Sequence, residues 1–423
     1  MEERGIQMGK ANRLKCLADL GKEINDYYMR YKRAGEEKKT TCRIMGYPLP
    51  HVILRAHDVH YMFLPSYAAT SAARGVVGRL HQVAEEKGLL REVCSYVRAN
   101  VGCAFSAEAG IAGADQMYSM PKPDFIIVTE SSCSMTFNWG DAERRIYNVP
   151  LFVVHCPYVW DEADEKDAIA EVTRQLREFI TFLEDITHRR FDWDKYKRTM
   201  ALAKETAGLR MSTMDEACQA IPSPATLFDW TSLLAIINYL IGLPEGRDVA
   251  LRVREEVIQK MERKEGAVVP EKYRLYWDGI MMWPLLGKLA QKCAALNANV
   301  IWSRYSTFSF WESPEMIDLE NPLEGNAIQV VRLHFNRSID WLIENITQLC
   351  QRYRIDGLLF HANLTCRTMA GPQLEIMDAV SRKLGIPAVY FEGDMTDETL
   401  ISESQIDTRL QALIETIEAR KGK

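Results

Sequence analysis

The chain has 423 residues, of which 47% are hydrophobic and 26% charged, and its formal net charge is −6. This length predicts two or three domains with a core that needs no disulfides. The acidic balance argues against a nucleic-acid-binding protein, which would carry a basic surface. No apolar run reaches the ~18–20 residues that span a bilayer. Residues 1–24 are charged and lack the apolar stretch of a secretory signal. We therefore expect a cytoplasmic protein that binds neither nucleic acid nor membrane.

The first part of the chain predicts a helical segment followed by an α/β unit. Residues 1–40 are rich in charge and predict helix, and residues 73–90 have the spacing of an amphipathic helix. Short apolar runs at 124–129 and 150–155 predict strands on either side of a helix at 136–147. Strands that are apolar throughout are typical of parallel sheets buried on both faces.

The middle of the chain is predicted to be helical and the last part repeats the α/β pattern. Helices are predicted at 162–207 and 227–263, the second with a break at Gly242–Pro244. Further strands are predicted at 274–279, 299–303, 356–361 and 386–391, and helices at 285–296, 327–352, 372–384 and from about 405. Strands alternating with helices of this length predict a doubly wound parallel sheet.

These elements predict an α/β protein with two doubly wound parallel-sheet domains of the Rossmann or flavodoxin-like type. We place the domains at 41–207 and 269–423, joined by a helical connection at 208–268 and preceded by an N-terminal helical segment at 1–40. The chain contains neither GxGxxG nor GxxxxGK[ST], so nucleotide binding by those motifs is not expected.

Ten cysteines in a chain expected in a reducing compartment favour metal or catalytic roles over disulfides. Cys133 follows strand 124–129 and Cys366 follows strand 356–361, and ligands of open α/β sheets bind at this end of the strands. Each also precedes a predicted helix, whose N-terminus would stabilise a thiolate. Position alone does not decide which cysteine is the third ligand. The candidates are Cys94, which lies near the end of a helical stretch, and Cys103 and Cys156. The chain contains no CxxC pair, which is the pattern that would indicate a structural zinc site.

Other candidates lie after predicted strands or beside the cysteines. His361 ends a strand and could supply a proton, and Tyr305 and Ser306 follow another strand. Trp283 could form a cleft wall, although core packing explains a tryptophan there slightly better. Glu392 and Asp394 fit either acid–base groups or a helix cap, and Arg98 and Arg367 could offset the charge of a cluster.

Several segments, in this order, resemble the 2-hydroxyacyl-CoA dehydratases and the related ATP-dependent benzoyl-CoA reductases over nearly the whole chain. The segments are Cys94–Arg98, Pro123 to Cys133, Arg274–Pro284, Asp356–His361 with Thr365–Arg367, Gly385 to Asp394, and Thr408–Leu410. Pro50–His51 and Leu64–Tyr67 depart from the family, which is usually acidic there, so we expect a changed pocket wall that includes Tyr67.

The resemblance implies a cofactor, partners and a chemistry. Cys94, Cys133 and Cys366 would ligate one 4Fe-4S cluster per chain, with one iron left open for the substrate. The partners would be a homologous second subunit with its own cluster and a separate ATP-hydrolysing iron–sulfur activator. The substrate would be an acyl-CoA thioester, with His361 and Tyr305 as catalytic candidates and Tyr67, Trp283 and Ser306 as binding candidates. One low-potential electron would convert the thioester carbonyl to a ketyl radical, which expels the 2-hydroxyl group with the iron as Lewis acid.

Three functions agree with this pattern. The first is the iron–sulfur subunit of a 2-hydroxyacyl-CoA dehydratase, a lyase. The second is a subunit of a benzoyl-CoA-type reductase, an oxidoreductase that consumes the electrons. The third is a homodimeric double-cubane electron-transfer protein that has no acyl-CoA substrate.

Overall fold

The computed structural model describes residues 10–46, 50–108, 120–131, 133–307, 311 and 313–422. The strands in these ranges are β1 Lys10–Ala11, β2 Thr41–Met45, β3 His60–Phe63, β4 Phe125–Thr129, β5 Leu151–Val154, β6 Val268–Val269, β7 Tyr273–Asp278, β8 Ala298–Trp302, β9 Gly357–Asn363 and β10 Ala388–Gly393.

The helices of the first half of the chain are α1 Leu17–Glu36, α2 His51–Ala56, α3 Leu64–Ala73, α4 Val77–Glu86, α5 Ser95–Glu108, α6 Met135–Tyr147, α7 Glu162–Thr187 and α8 Trp193–Gln219. Those that follow are α9 Leu227–Ser232, α10 Pro244–Glu262, α11 Leu286–Ala295, α12 Arg304–Thr307, α13 Pro322–Val331, α14 Ile339–Arg352, α15 Arg367–Ala370, α16 Gln373–Leu384 and α17 Glu403–Lys421. A π-helix at Ile236–Leu240 lies between α9 and α10.

Within the described residues, two four-stranded parallel sheets organise the molecule. The strand orders are β3-β2-β4-β5 and β10-β9-β7-β8. Numbered along the chain within each sheet, the first has the order 2-1-3-4, and the second has the same order when it is read from β8 to β10, which is the start of the flavodoxin-like order. This confirms the predicted α/β fold class. The switch points, where ligands of such sheets bind, lie between β2 and β4 in the first sheet and between β7 and β9 in the second.

The two sheets fall inside the predicted α/β ranges, and the domain boundaries themselves stay predictions. The short antiparallel pair of β1 and β6 joins the N-terminal region to the second half of the chain, with Lys10 opposite Val269. Both sheets are buried by helices, because their strand residues carry almost no exposed surface except at the edge strands β5 and β10.

The six strands predicted from apolar runs correspond to β4, β5 and β7–β10, but β2 and β3 were missed. β2 has the sequence TCRIM, in which a charged residue interrupts the apolar run. Arg43 is fully buried there because its Nη1 pairs with Glu143 Oε2 at 2.8 Å, and that carboxylate is also fully buried. An intramolecular partner thus allows a cation in the middle of a buried strand, which the local sequence does not reveal.

The long helix predicted at 327–352 is two helices in the structure. The prediction for 327–352 was wrong because the chain turns between α13 and α14, and Ser338 caps the start of α14 by accepting from the Trp341 backbone N–H. Residues 162–207, predicted to be helical, contain α7 and the start of α8, and α7 ends at Thr187 because His188 has a left-handed φ of 53°. The predicted break at Gly242–Pro244 lies between the π-helix and α10.

Candidate functional site

Cys94, Cys133 and Cys366 line one cavity of about 90 Å³ between the two sheets. Cys133 follows β4 and Cys366 follows β9, so both lie at the switch points of their sheets. Cys94 comes from the connection between α4 and α5. The other described residues that line the cavity are Gly46, Pro65, Tyr96, Val97, Met135, Thr136, Trp139, Ile280, Tyr305, Phe335, Thr368, Met369 and Met395.

Each of the three cysteines lies at the N-terminus of a helix, where backbone N–H groups have no partner within the helix. The Cys94 thiol interacts with the backbone N–H groups of Tyr96 and Val97 in the first turn of α5. The expectation that Cys94 lies near the end of a helix was therefore wrong, because α4 stops at Glu86 and a new helix begins at Ser95.

The other two cysteines repeat this arrangement. The backbone N–H of Met135, which begins α6, donates to Cys133 Sγ at 3.4 Å. The Cys366 thiol interacts with the backbone N–H groups of Thr368 and Met369, in the short helix α15. Three helix N-termini thus direct their partial positive charge at one cavity, which favours an anionic group there.

The environment of the cavity raises the pKa of two of its thiols, Cys94 and Cys366. Burial raises the pKa of Cys94 above its usual range, and the neighbouring Cys366 and Cys133 add to the shift. Burial likewise raises the pKa of Cys366 to about 12, and Cys133 contributes again. These mutual effects show that the three thiols are close together. A nearby positive charge would favour the thiolate forms of Cys94 and Cys366.

The rival cysteines lie elsewhere. Cys103 is buried within α5 and accepts a hydrogen bond from the Tyr67 hydroxyl at 3.1 Å. Cys156 is buried after β5 and accepts from Asn336 Nδ2 at 3.2 Å. Neither lines the cavity, and burial raises the pKa of both thiols.

The walls of the cavity are mostly apolar. Among the described lining residues, no side chain is an Asp, Glu, His, Lys or Arg. Trp139 is fixed in its wall because its indole N–H donates to Glu143 Oε1 at 3.0 Å. Tyr305, a predicted site residue, is 4% exposed and lines the cavity.

A glycine follows the first strand of each sheet and allows a close approach of backbone. Gly46, after β2, has φ of 81°, and a Cβ there would lie 2.0 Å from the Thr129 carbonyl oxygen. Gly279, after β7, has φ of 121°, and a Cβ there would lie 2.3 Å from the His361 carbonyl oxygen. The left-handed conformation favours glycine at both positions. The sequence analysis missed Gly46 as a lining residue because it missed the preceding strand.

His361 lies outside the cavity lining. Its ring is fully buried and packs on Trp277 and Phe391, each with ring centroids 5.6 Å apart. Its Nδ1 donates to the Ile280 carbonyl oxygen at 2.8 Å. Burial lowers the pKa of His361 to about 4, so the ring is neutral near pH 7. This position favours a packed histidine over a proton donor to the cavity.

The three predicted substrate-binding residues have different positions. Tyr67 is fully buried and donates to Cys103, away from the cysteine cavity. Trp283 is half-buried and lines a different cavity, while its indole N–H donates to the hydroxyl of Tyr96, which lines the cysteine cavity. The Ser306 side chain lies outside the described part of the chain.

The charged candidates beside the cysteines have structural partners. Arg98 is fully buried, and its guanidinium pairs with Glu85 at 2.7 Å and with Asp397 at 2.9 Å, which accounts for its burial; its role beside the cluster stays a prediction. Asp394 is fully buried and accepts from the Thr365 hydroxyl and from the backbone N–H groups of Thr396 and Asp397. Asp394 thus holds the turn after β10, and the capping alternative was wrong for it, because Asp397 and Ser402 cap the helices that follow.

The donor set fits an iron–sulfur cluster better than a single ion. In the described ranges, no group of three Cys, His, Asp or Glu side chains is arranged to hold one metal ion. The three thiols instead surround a cavity, and thiolates are the ligands of iron–sulfur clusters. Three protein ligands would leave a position open for another molecule, as in catalytic metal sites.

Comparisons with known proteins agree with this arrangement. The profile of the family described as 2-hydroxyglutaryl-CoA dehydratase, D-component, matches residues 47–417. The chain belongs to this dehydratase family. The resemblance found in the sequence is thereby confirmed. The matched range includes all three cavity cysteines and the whole of the second sheet.

The relatives of this dehydratase-family chain include proteins named as dehydratase subunits and a protein named as a reductase subunit. The alpha subunit of (R)-2-hydroxyisocaproyl-CoA dehydratase from Clostridioides difficile is 26% identical over 402 residues, which cover 94% of this chain and 96% of the relative. The alpha subunit of lactoyl-CoA dehydratase from Anaerotignum propionicum is 27% identical over 83% of this chain and 84% of the relative. A benzoyl-CoA reductase subunit from Thauera aromatica is 23% identical over 84% of this chain and 83% of the relative.

Among the helices that the structure describes, none combines the length and the apolar character needed to span a membrane.

Proposed function

We propose that this chain is the iron–sulfur subunit of a 2-hydroxyacyl-CoA dehydratase-type enzyme. The observation that carries the proposal is the meeting of Cys94, Cys133 and Cys366 in one cavity although they are far apart in the sequence. Membership of the dehydratase family and relatives named as dehydratase alpha subunits support the substrate class and the reaction.

In this proposal the three cysteine thiolates hold one 4Fe-4S cluster whose fourth iron has no protein ligand. When bound, the cluster supplies a low-potential electron and an open Lewis-acidic site for the substrate oxygen. The helix N-termini behind the thiolates stabilise the negative charge of the assembly. The β-proton of the substrate is not acidic, but it would become acidic once the reduced thioester had expelled the 2-hydroxyl group, so the chain would need no protein base of unusual strength.

The chain's own residues would exclude water and position the thioester. The apolar walls around Trp139, Ile280 and Phe335 lower the local dielectric constant, which strengthens charge interactions inside the cavity. The Tyr305 hydroxyl is the proposed proton donor or acceptor at the cavity wall, because Tyr305 lines the cavity whereas His361 does not.

The proposed partners follow from the relatives and from the chemistry. The name alpha subunit of the relatives supports a second subunit, which we propose to be homologous and to carry its own cluster. A separate ATP-hydrolysing iron–sulfur activator would deliver the electron. Both would be needed for turnover.

The test is turnover by the full chain with its partner subunit, the activator, ATP and a strong one-electron reductant. We expect lactoyl-CoA or 2-hydroxyisocaproyl-CoA to lose water and form the 2-enoyl-CoA, with far less than one electron consumed per product. Absence of dehydration with a range of 2-hydroxyacyl-CoA thioesters, in a mixture that turns over a known member of the family, would contradict the proposal.

The same assay distinguishes a benzoyl-CoA-type reductase, which the relationship to the benzoyl-CoA reductase subunit keeps as the second candidate. A reductase would consume two electrons per aromatic ring reduced and would leave 2-hydroxyacyl-CoA unchanged. An electron-transfer protein would turn over neither substrate but would still contain iron.

A further inference from the structure

The segments that carry Cys94 and Cys366 lie in different halves of the chain but are joined by a direct hydrogen bond. The backbone N–H of Ser95, which begins α5, donates to Thr365 Oγ1 at 3.1 Å, although the two residues are 270 positions apart. Ser95 directly follows Cys94, and Thr365 directly precedes Cys366. One hydrogen bond therefore connects the neighbours of two of the three cavity cysteines.

Thr365 is itself held by a buried carboxylate. Its hydroxyl donates to Asp394 Oδ2 at 2.6 Å, and Asp394 is fully buried in the turn after β10. Because the hydroxyl hydrogen is directed at Asp394, the lone pairs of Thr365 Oγ1 are free to accept the Ser95 N–H. That N–H belongs to the first turn of α5, whose N–H groups have no partner within the helix. The second half of the chain thus supplies a partner that α5 lacks.

A buried histidine holds the other polar backbone group of Ser95. His81 Nε2, in α4, lies 3.0 Å from the Ser95 carbonyl oxygen, and since a carbonyl oxygen only accepts, Nε2 carries the hydrogen. The same nitrogen lies 3.4 Å from Thr396 Oγ1, in the turn that Asp394 organises. Both polar backbone groups of Ser95 therefore have side-chain partners outside α5.

The buried Arg98 guanidinium joins the residue before Cys94 to the same turn. Its Nε donates to the Val93 carbonyl oxygen at 3.2 Å, and its Nη2 pairs with Asp397 Oδ2 at 2.9 Å. The Asp397 backbone N–H in turn donates to Asp394 Oδ1 at 3.0 Å. We call this connected set of side chains the Cys94 clamp, and its members are His81, Arg98, Thr365, Asp394 and Asp397.

The clamp acts on the end of α5 that faces the Cys94 thiol. The backbone N–H groups of Tyr96 and Val97 interact with that thiol and belong to the same helical turn as Ser95. Hydrogen bonds to a thiolate sulfur stabilise the extra negative charge of a reduced iron–sulfur cluster, so they raise its reduction potential. A first turn that is held from the second half of the chain keeps these N–H groups directed at the sulfur.

We propose that the Cys94 clamp positions the Cys94 thiolate and its N–H donors relative to Cys366, and thereby sets the reduction potential of the cluster and its retention of iron. This inference rests on the proposed function, because it concerns the cluster site, and it adds positioning residues that act through the backbone beside the cysteines. Thr365 is the central member, since its hydroxyl takes part in two hydrogen bonds, one to each half of the chain.

The first experiment removes one hydroxyl group. Thr365→Val keeps the shape of the side chain but loses both hydrogen bonds, whereas Thr365→Ser retains the hydroxyl. The matched control is Thr206→Val in α8, where another buried threonine loses its hydrogen bond to the Leu202 carbonyl oxygen. The midpoint potential of the anaerobic, iron-loaded full chain is titrated by electron paramagnetic resonance, and the loss of iron to a chelator is timed.

We expect Thr365→Val to have a more negative midpoint potential than the wild type, because the N–H groups that face Cys94 are held less firmly. It should also lose iron about tenfold faster, since each hydrogen bond is worth roughly two- to tenfold in such a rate. Thr365→Ser and Thr206→Val should both keep the potential and the iron-loss rate of the wild type.

The second experiment reaches the clamp independently of Thr365. His81→Leu removes the donor to the Ser95 carbonyl oxygen and should shift the potential in the same direction, and His81→Gln, which retains a donor, should restore it. A wild-type potential in Thr365→Val, or in His81→Leu where Thr365→Val does not fold, would overturn the clamp while the cluster function stands. An equal shift in Thr206→Val would overturn it as well. A wild-type chain that holds no iron would instead contradict the proposed function itself.

Discussion

Substitution of Asp278 tests whether a buried ion pair stabilises the segment that carries the cavity residue Tyr305. It is fully buried at the end of β7 and accepts two hydrogen bonds from the Arg304 guanidinium, at 2.8 and 3.0 Å. It also accepts from the Tyr276 hydroxyl at 2.5 Å and from Gln373 Nε2 at 2.7 Å. Arg304 directly precedes the cavity residue Tyr305, so this carboxylate fixes the segment that carries Tyr305.

Asp278→Asn keeps the size of the side chain but leaves the Arg304 cation buried without a countercharge. Removing one charged partner of a buried ion pair lowers the free energy of unfolding by about 3–5 kcal/mol. Asp278→Asn/Arg304→Gln should recover about 1–3 kcal/mol relative to the sum of the single substitutions, because the double variant has no uncompensated charge. Exposed pairs are worth less than about 1 kcal/mol, so Asp407→Asn, which loses the surface pair with Lys292, is the control.

The assay is denaturant unfolding of the anaerobic protein at pH 7, followed by circular dichroism, with amide hydrogen exchange in the Tyr305 segment as the local readout. A loss below about 1 kcal/mol for Asp278→Asn, or strict additivity in the double variant, would refute the argument that this ion pair stabilises the site.

Two further predictions concern stability. Burial lowers the folded-state pKa of His361 to about 4, below its ordinary ~6.5. The contribution of the neutral ring to the free energy of unfolding is therefore complete above pH 6.5 and decreases by about 3 kcal/mol as the pH falls to 4. His361→Asn retains a donor for Ile280 and should flatten that part of the pH profile of the thermal midpoint; an unchanged slope would show that His361 is not its source. Gly102→Ala should destabilise the protein by about 1–3 kcal/mol in urea unfolding, since a Cβ would lie 1.9 Å from the Leu80 carbonyl oxygen; wild-type stability would contradict the close packing of α4 and α5.

The fold class and two of the three cysteines could be predicted from the sequence because they depend on local patterns. Apolar runs mark most strands, and the rule that ligands bind after the strands selects Cys133 and Cys366. Cys94 follows no strand, so only the family resemblance selected it over Cys103 and Cys156. Its position at a helix N-terminus depends on a helix break between residues 86 and 95, where Gly88 has a φ of 95° and ends α4, but nothing local indicates that the next helix begins at Ser95.

The failures come from contacts that are distant in the sequence. β2 was missed because Arg43 is neutralised by Glu143, 100 residues further along the chain. His361 was expected at the end of its strand, but β9 continues to Asn363, so the ring lies within the sheet and packs on Trp277. For Trp283 the sequence left core packing and a cleft wall open, and the structure shows that it lines a second cavity.

The most direct test of the central claim is the iron content of anaerobically purified protein and of five Cys→Ser variants. The account predicts about four irons per chain in the wild type. It predicts a marked loss in the variants of Cys94, Cys133 and Cys366, which line the cavity, and unchanged iron in the variants of Cys103 and Cys156, which do not. A wild-type protein that remains free of iron after anaerobic reconstitution, or equal iron in all five variants, would contradict it.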